Sequence, residues 1–499
     1  MKNILKSFCL LIVCTAAFSA CHKDLDIPYD NALSRSNMWK DASDLEQSVP
    51  GIYKRMQAYF SEAECNVFYF GETRVGDFMR GPSLESKVQD NFKIACRHNT
   101  LTPSNTIGWS GLYSTIDQAN AVIAHAAECN ASQDRLDWAL SQAYFARAFC
   151  YFHAARVWGE VPLNLLPVES TTQEECYPKQ KSAAEVYQQV ETDLVQNCKP
   201  EKLGSEKYFG TPAAYYTLLA DYALWMYTTR NGGDRYLDMA EQAINKAKNY
   251  SNVLDDYAKI FDRTNKKNNE IIFSLALSAS NTGGYQIYFC NPSNLIASAY
   301  RNNPVPISST QWWSYSQGFV DILKASEAKG DKRVATNLGY GPYSSAADHH
   351  EITWCNKLTG DMSKSPVIQD NDLIYYRYGY LVMLEAEMLY YKKDYAGANK
   401  ALNVIAKRAY GKENYYTSSA PADVLDNIVN EYFLEFPAEG MIWWALIRTG
   451  RIWSMVPNSE IPDQTFESLK AKNPNILLWP IAQGSLNRNS NLHQIQGWS

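Results

Sequence analysis

The chain has 499 residues, 46% of them hydrophobic, which is enough to bury a large core. Its formal net charge is −6, with both signs intermixed and no basic tract, and this argues against a surface built to neutralise nucleic-acid phosphates. Aromatics reach 13%, with 34 Tyr and 13 Trp. Many must pack the interior, but such an excess of Tyr also suits surfaces that stack on sugar rings.

Met1 to Lys6 is short and basic, and the apolar run from Phe8 to Ala17 follows it. The run is too short for a bilayer span of roughly 20 residues and suits the core of a signal peptide. Phe18-Ser19-Ala20-Cys21 then matches a bacterial lipobox, so residues 1–20 are expected to be removed and Cys21 acylated. Each buried acyl methylene contributes about 0.8 kcal/mol, so several chains tether a protein without a transmembrane helix. Residues 21–499 are expected to form a single domain. Of the cysteines beyond the anchor, none forms a C-x-x-C pair and several sit on apolar helix faces, which predicts mostly free, buried thiols.

Helical periodicity dominates the chain that follows. Trp109, Leu112, Tyr113, Ile116, Ala119, Asn120 and Ile123 fall on one helical face, and Leu136, Ala139, Leu140, Ala143, Tyr144, Arg147, Cys150, Tyr151 and Ala154 on another. The polar break at 129–132 joins them as an antiparallel hairpin, with Ser132 or Asp134 as the cap. A second hairpin pairs Tyr215–Trp225 with Tyr236–Ala247. A third pairs Tyr376–Glu387 with Tyr395–Ala409. Alternating small and large residues let such helices nest, as in tetratricopeptide hairpins, although a non-repeating bundle has the same periodicity. The predicted class is mainly α: a tetratricopeptide-like scaffold bearing loops and a few short strands.

The loops are insertions near 60–105, 278–318 and 339–372. Glu270–Ala276 reads as a short buried strand leading into the second of them. Long irregular segments of this kind are functional or disordered, and their aromatic content argues against disorder.

Several stretches in order along the chain resemble the SusD/RagB family of surface lipoproteins. They are Trp109-x-x-Leu112-Tyr113-x-x-Ile116-x-x-Ala119-Asn120; Ala146-Arg147-Ala148-Phe149-Cys150-Tyr151-Phe152 with Trp158-Gly159-Glu160-Val161-Pro162-Leu163; Asn269–Ser274; Gly330-Asp331-Lys332-Arg333; Glu435-x-x-x-Glu439-Gly440 with Leu446-x-Arg448-x-Gly450; and Leu477–Ile481 through Gln496-Gly497-Trp498. Ala445, Ala482 and Tyr432 depart from the family pattern at framework positions. The acidic Lys23-Asp24-Leu25-Asp26 after the lipobox also resembles a weak surface-export tag. The resemblance implies about four helix hairpins under a loop-rich face, a place on the exterior of the outer membrane, and a SusC-like TonB-dependent transporter as partner. It implies oligosaccharide binding, or peptide binding in some relatives, with no catalysis and no cofactor.

A sugar site needs aromatic faces for the C–H faces of the rings, and fixed donors and acceptors for the hydroxyls. In the first insertion Arg74, Asp77 and Arg80, spaced to share a helical turn, are candidates; a structural ion pair is about as good a reading, and two arginines also suit an acidic glycan. In the second, Tyr285, Tyr288, Tyr300, Trp312 and Trp313 are candidates, but adjacent tryptophans in a strand face opposite ways, so one of them packs inward. Enzyme motifs are missing: there is no H-E-x-x-H, G-x-S-x-G, P-loop or G-x-G-x-x-G. His349-His350 reads better as a solvated loop tip than as a metal site. Glu385 and Glu387, two apart on a helix, do not converge.

Overall fold

The computed structural model describes residues 38–61, 65–76, 101–170, 176–281, 289–290, 296–297, 311, 313–342, 351–364, 367–454 and 465–498, together with the backbone of 78–80. Residues 1–20, Cys21, Cys96 and His349-His350 lie outside them.

Among the described residues four helix pairs make the scaffold. The first packs α1 (Ala42–Phe60) beside α3 (Ser110–His125), with the first insertion and the short α2 (Asn66–Gly71) between them in sequence. The second joins α4 (Gln133–Trp158) to α5 (Ala183–Glu191). The third is α6 (Pro212–Arg230) with α7 (Arg235–Ala247). Later in the chain come α8 (Gln317–Glu327) and the fourth pair, α9 (Tyr378–Tyr391) with α10 (Tyr395–Tyr410), followed by α11 (Pro421–Glu435) and α12 (Ile442–Arg448). The helices at 110–125 and 133–158, read from the sequence as one hairpin, do pack together, but each also belongs to its own pair. Ser132 is the N-cap of α4 without a side-chain cap bond, whereas Asp41 and Ser182 close full capping boxes on α1 and α5. Left-handed Asn231 (φ 54°) ends α6, and Lys393 (φ 63°) turns the chain from α9 into α10.

Four two-stranded antiparallel sheets complete the described fold, the smallest pairing β2 (Val161–Pro162) with β3 (Gln180–Lys181). The expected buried strand is β4 (Ile271–Leu275), wholly buried and paired with β8 (Leu373–Arg377). Tyr376 therefore sits in a strand and not at the start of the third predicted hairpin; the helix begins at Tyr378. The strand wins because pairing with β4 places the Tyr375 and Tyr376 rings against Phe149. One continuous core of buried apolar side chains runs from Trp39 to Trp498. The cysteines among the described residues are free, and all but Cys176 are buried.

Charge is buried where the last helices meet β4 and β8. Arg377 Nη1 donates to Glu435 Oε1 (2.6 Å), Arg333 Nη1 to Glu431 Oε2 (2.7 Å) and Glu435 Oε2 (2.9 Å), and Arg408 Nη1 to Glu270 Oε2 (2.8 Å). Arg377 Nε reaches Glu439 Oε2 (2.7 Å). Burial alone would raise the Glu435 carboxyl, but the charges of Arg408, Arg377 and Arg333 hold it well below the usual carboxylate range. A second network ties Arg448 to Glu387 (2.8 Å) and Asp221 (2.9 Å), and Tyr432 bonds into it through its hydroxyl. The Glu-x-x-x-Glu spacing of residues 435 and 439 thus serves the interior.

Close backbone approach explains the glycine after Glu439. A Cβ on Gly440 (φ +71°) would lie 2.3 Å from the Val67 carbonyl oxygen, and one on Gly71 would lie 1.9 Å from that of Gly440. Glu72 fixes this crossing, accepting from Gly440 N–H (2.6 Å) and Ala438 N–H.

Candidate functional site

The three insertions are built onto one small set of strands. β1 (Phe78–Arg80), in the first insertion, pairs antiparallel with β5 (Trp313–Tyr315), at the end of the second, with Arg80 opposite Trp313. In the third insertion β6 (Gly339–Pro342) pairs with β7 (Glu351–Trp354). Side chains stitch these together. Gln311 Nε2 donates to the carbonyls of Trp313 (3.1 Å) and Thr353 (2.6 Å), and Tyr315 N–H donates to Thr353 Oγ1 (3.0 Å). Backbone bonds from Ala297 N–H to Pro342 (2.8 Å) and from Cys355 N–H to Phe289 (2.9 Å) join the second insertion to the third.

Below the strands the packing is aromatic. Phe68 stacks on Phe289 (4.5 Å between centroids) and meets Trp313 edge-on (5.2 Å). Trp313 is 1% exposed and packs inward, and the expectation that it contacts ligand is corrected. Arg74 is corrected likewise. It is 1% exposed, donates to the carbonyls of Ile476 (2.7 Å) and Leu478 (3.3 Å), and lies against the rings of Trp443, Trp479, Phe466 and Trp498 at 4.8–5.9 Å. Burial pulls its pKa down to about 9, still charged at neutral pH, and the ring faces offset part of that cost. Nor does it share a helical turn with residue 80, because 78–80 form a strand. Asp77, Tyr285, Tyr288, Tyr300 and Trp312, and the side chain of Arg80, lie outside the described residues.

A cavity of about 410 Å³ opens where the first insertion ends and α3 begins. Trp109, Tyr113 and Ile116 line it with Asp117, Asn164 and Arg488, the last from the C-terminal segment. Tyr113 is held rigidly because its hydroxyl donates to the Pro162 carbonyl, and Asp117 Oδ1 accepts from Val168 N–H (2.7 Å). Among the described residues Arg488 has no hydrogen-bonding or ionic partner and is exposed. Ring faces beside a carboxylate, a carboxamide and an unengaged guanidinium are the ingredients of a sugar-binding pocket. The sequence reading assigned Trp109 and Tyr113 to the scaffold face alone, since the 3.6-residue period does not reveal which aromatics border a cavity. Arg488 had no signal at all.

Among the described residues no group of His, Cys, Asp and Glu is placed to hold a metal ion, and no helix is long and apolar enough to cross a membrane.

Comparison with known proteins accords with this architecture. A model of the SusD family matches residues 307–498, and one described as "Starch-binding associating with outer membrane" matches residues 31–227. SusD-like protein P38 of Formosa agariphila is 25% identical over 90% of this chain and 92% of its own length. A SusD superfamily protein of Bacteroides fragilis has the same fold, with a TM-score of 0.76, 23% identity and coverage of 92% of this chain and 100% of that one. Surface glycan-binding protein A of Bacteroides thetaiotaomicron, solved with laminarihexaose, aligns with a TM-score of 0.70, 19% identity and coverage of 91% and 99%. The order of motifs from Trp109 to Trp498, the four helix pairs and the family models matching both ends of the chain agree: this chain belongs to the SusD/RagB-like family.

Proposed function

We propose that this protein captures oligosaccharides at the cell surface and delivers them to a SusC-like TonB-dependent transporter, held to the outer membrane by acyl chains on Cys21. The convergence of three insertions on one small group of strands carries this reading, because it gathers loop segments on a rigid base where a ligand surface is useful. The pocket beside Trp109 supplies ring faces and polar groups of the kind that hold sugars reversibly. A structural relative bound to laminarihexaose supports the ligand class. Binding and release need no bond to be broken, and no catalytic step is assigned.

Arg80, Asp77, Tyr285, Tyr288, Tyr300 and Trp312 are the proposed contacts from the insertions, with Trp109 and Arg488 added from the pocket. An array of defined oligosaccharides and peptides tests the reading. Binding to oligosaccharides, weakened in Arg80→Ala without loss of folding, is the expected result. Binding to peptides alone would move the protein to the other ligand class on the same scaffold.

A further inference from the structure

A second groove, of about 630 Å³, runs between α8 and α11 and shares no lining residue with the small strands or the Trp109 pocket. Its end is an aromatic platform. Tyr415 lies flat on Tyr410, with centroids 3.9 Å apart and planes 2° from parallel. Tyr410 is anchored below, its hydroxyl 2.9 Å from Ser326 Oγ and its ring beside the Arg333 guanidinium (5.6 Å).

The segment bearing Tyr415 is clamped. Tyr416 exchanges two 2.9 Å bonds with the Asn403 side chain, and its hydroxyl donates to buried Glu431. Asn399 Nδ2 donates to the Ser418 carbonyl (2.6 Å). Tyr415, half-buried, is thus held in one orientation in advance, so ordering it on binding costs little.

The opposite wall supplies polar groups. Asn427 and Asn430, three apart on α11, face the groove, and neither carboxamide has a hydrogen-bond partner among the described residues. Ile322 of α8, 47% exposed, adds an apolar surface. The charges around the groove are mixed, since Asp423 and Asp426 line it with Lys329, Arg451 pairs with Asp426, and Lys412 Nζ lies 5.7 Å from the Tyr415 centroid, and this balance suits a neutral ligand.

We propose that this groove is a second saccharide-binding site, taking neutral hexose units of an oligosaccharide with a ring stacked on Tyr415 and its hydroxyls bonded by Asn427 and Asn430. It rests on the proposed function for the ligand class, but on separate residues. A site on the scaffold would hold a second stretch of a long chain while the insertions hold the first, raising retention through effective concentration.

Hydroxyl-radical footprinting of the full chain with maltohexaose, cellohexaose and laminarihexaose, and with trigalacturonate as the acidic comparison, tests this. At least one neutral hexaose should protect Tyr415 and the 427–430 segment, and trigalacturonate should not. Tyr415→Ala should weaken binding there about tenfold, whereas Tyr415→Phe keeps the ring and the affinity. Failure of all three neutral hexaoses to protect Tyr415 would overturn the groove, as would equal affinity of the Ala and Phe variants. Protection confined to the insertions and the Trp109 pocket would retain the proposed function and reject the groove. Protection of Tyr415 alone would retain the groove and the ligand class, and reject the insertions and the Trp109 pocket as the contact surface.

Discussion

The scaffold around Glu435 and the strands that carry the insertions are held together by different means. In the scaffold, long helices bury whole faces, and interior charges are matched so fully that Arg333 reaches three carboxylates. In the insertions, strands of three or four residues are joined by a few side-chain bonds from Gln311 and Thr353 and are anchored below by Phe68, Phe289 and Trp313. Stability is concentrated in one region, which leaves the other free to vary its side chains at little cost to folding.

If the ionic interior is the keystone, Glu435→Ala should have the largest effect. It takes one carboxylate from three buried arginines, each left with its remaining partners, and should cost about 3–5 kcal/mol in denaturant unfolding, with glycan affinity per folded molecule unchanged. Next comes Gly440→Ala, which adds a Cβ against the Val67 carbonyl at positive φ; a loss of about 2–3 kcal/mol is expected, read from the unfolding midpoint.

His153 makes the scaffold sensitive to acid. It is buried among the rings of Phe60, Phe70 and Trp158, and neither nitrogen has a hydrogen-bond partner among the described residues. Burial, aided by Arg156, pushes its pKa well below the ordinary value. The unfolded chain therefore binds this proton first, so stability is complete above about pH 6.5 and declines as pH falls, by up to about 2 kcal/mol at pH 5. His153→Phe should flatten that slope in thermal melts, leaving a further fall below about pH 4 as Glu435 loses its advantage.

The smallest effect on folding should come from the pocket. Arg488→Ala should shift the unfolding free energy by less than about 0.5 kcal/mol while weakening oligosaccharide binding severalfold by calorimetry. A large loss of stability there would break the separation between the two regions.

Helix periodicity, the short joins at 129–132, 231–234 and 392–394, and the buried run at 271–275 were legible in the sequence because each rests on residues adjacent in the chain. The motif order was enough to indicate the family. Tertiary structure alone decided that Arg74 and Trp313 face inward, that 78–80 form a strand and not a helical turn, that Tyr376 joins β8, and that Trp109 and Arg488 share a cavity. The physical reason is range. A helix declares its buried face every few residues, whereas a three-residue strand such as β1 exists only because β5, far along the chain, offers its edge. Charge reads the same way: a lone arginine has one chemistry in sequence, and whether it meets solvent, a ligand or four aromatic rings is settled by what the fold brings to it.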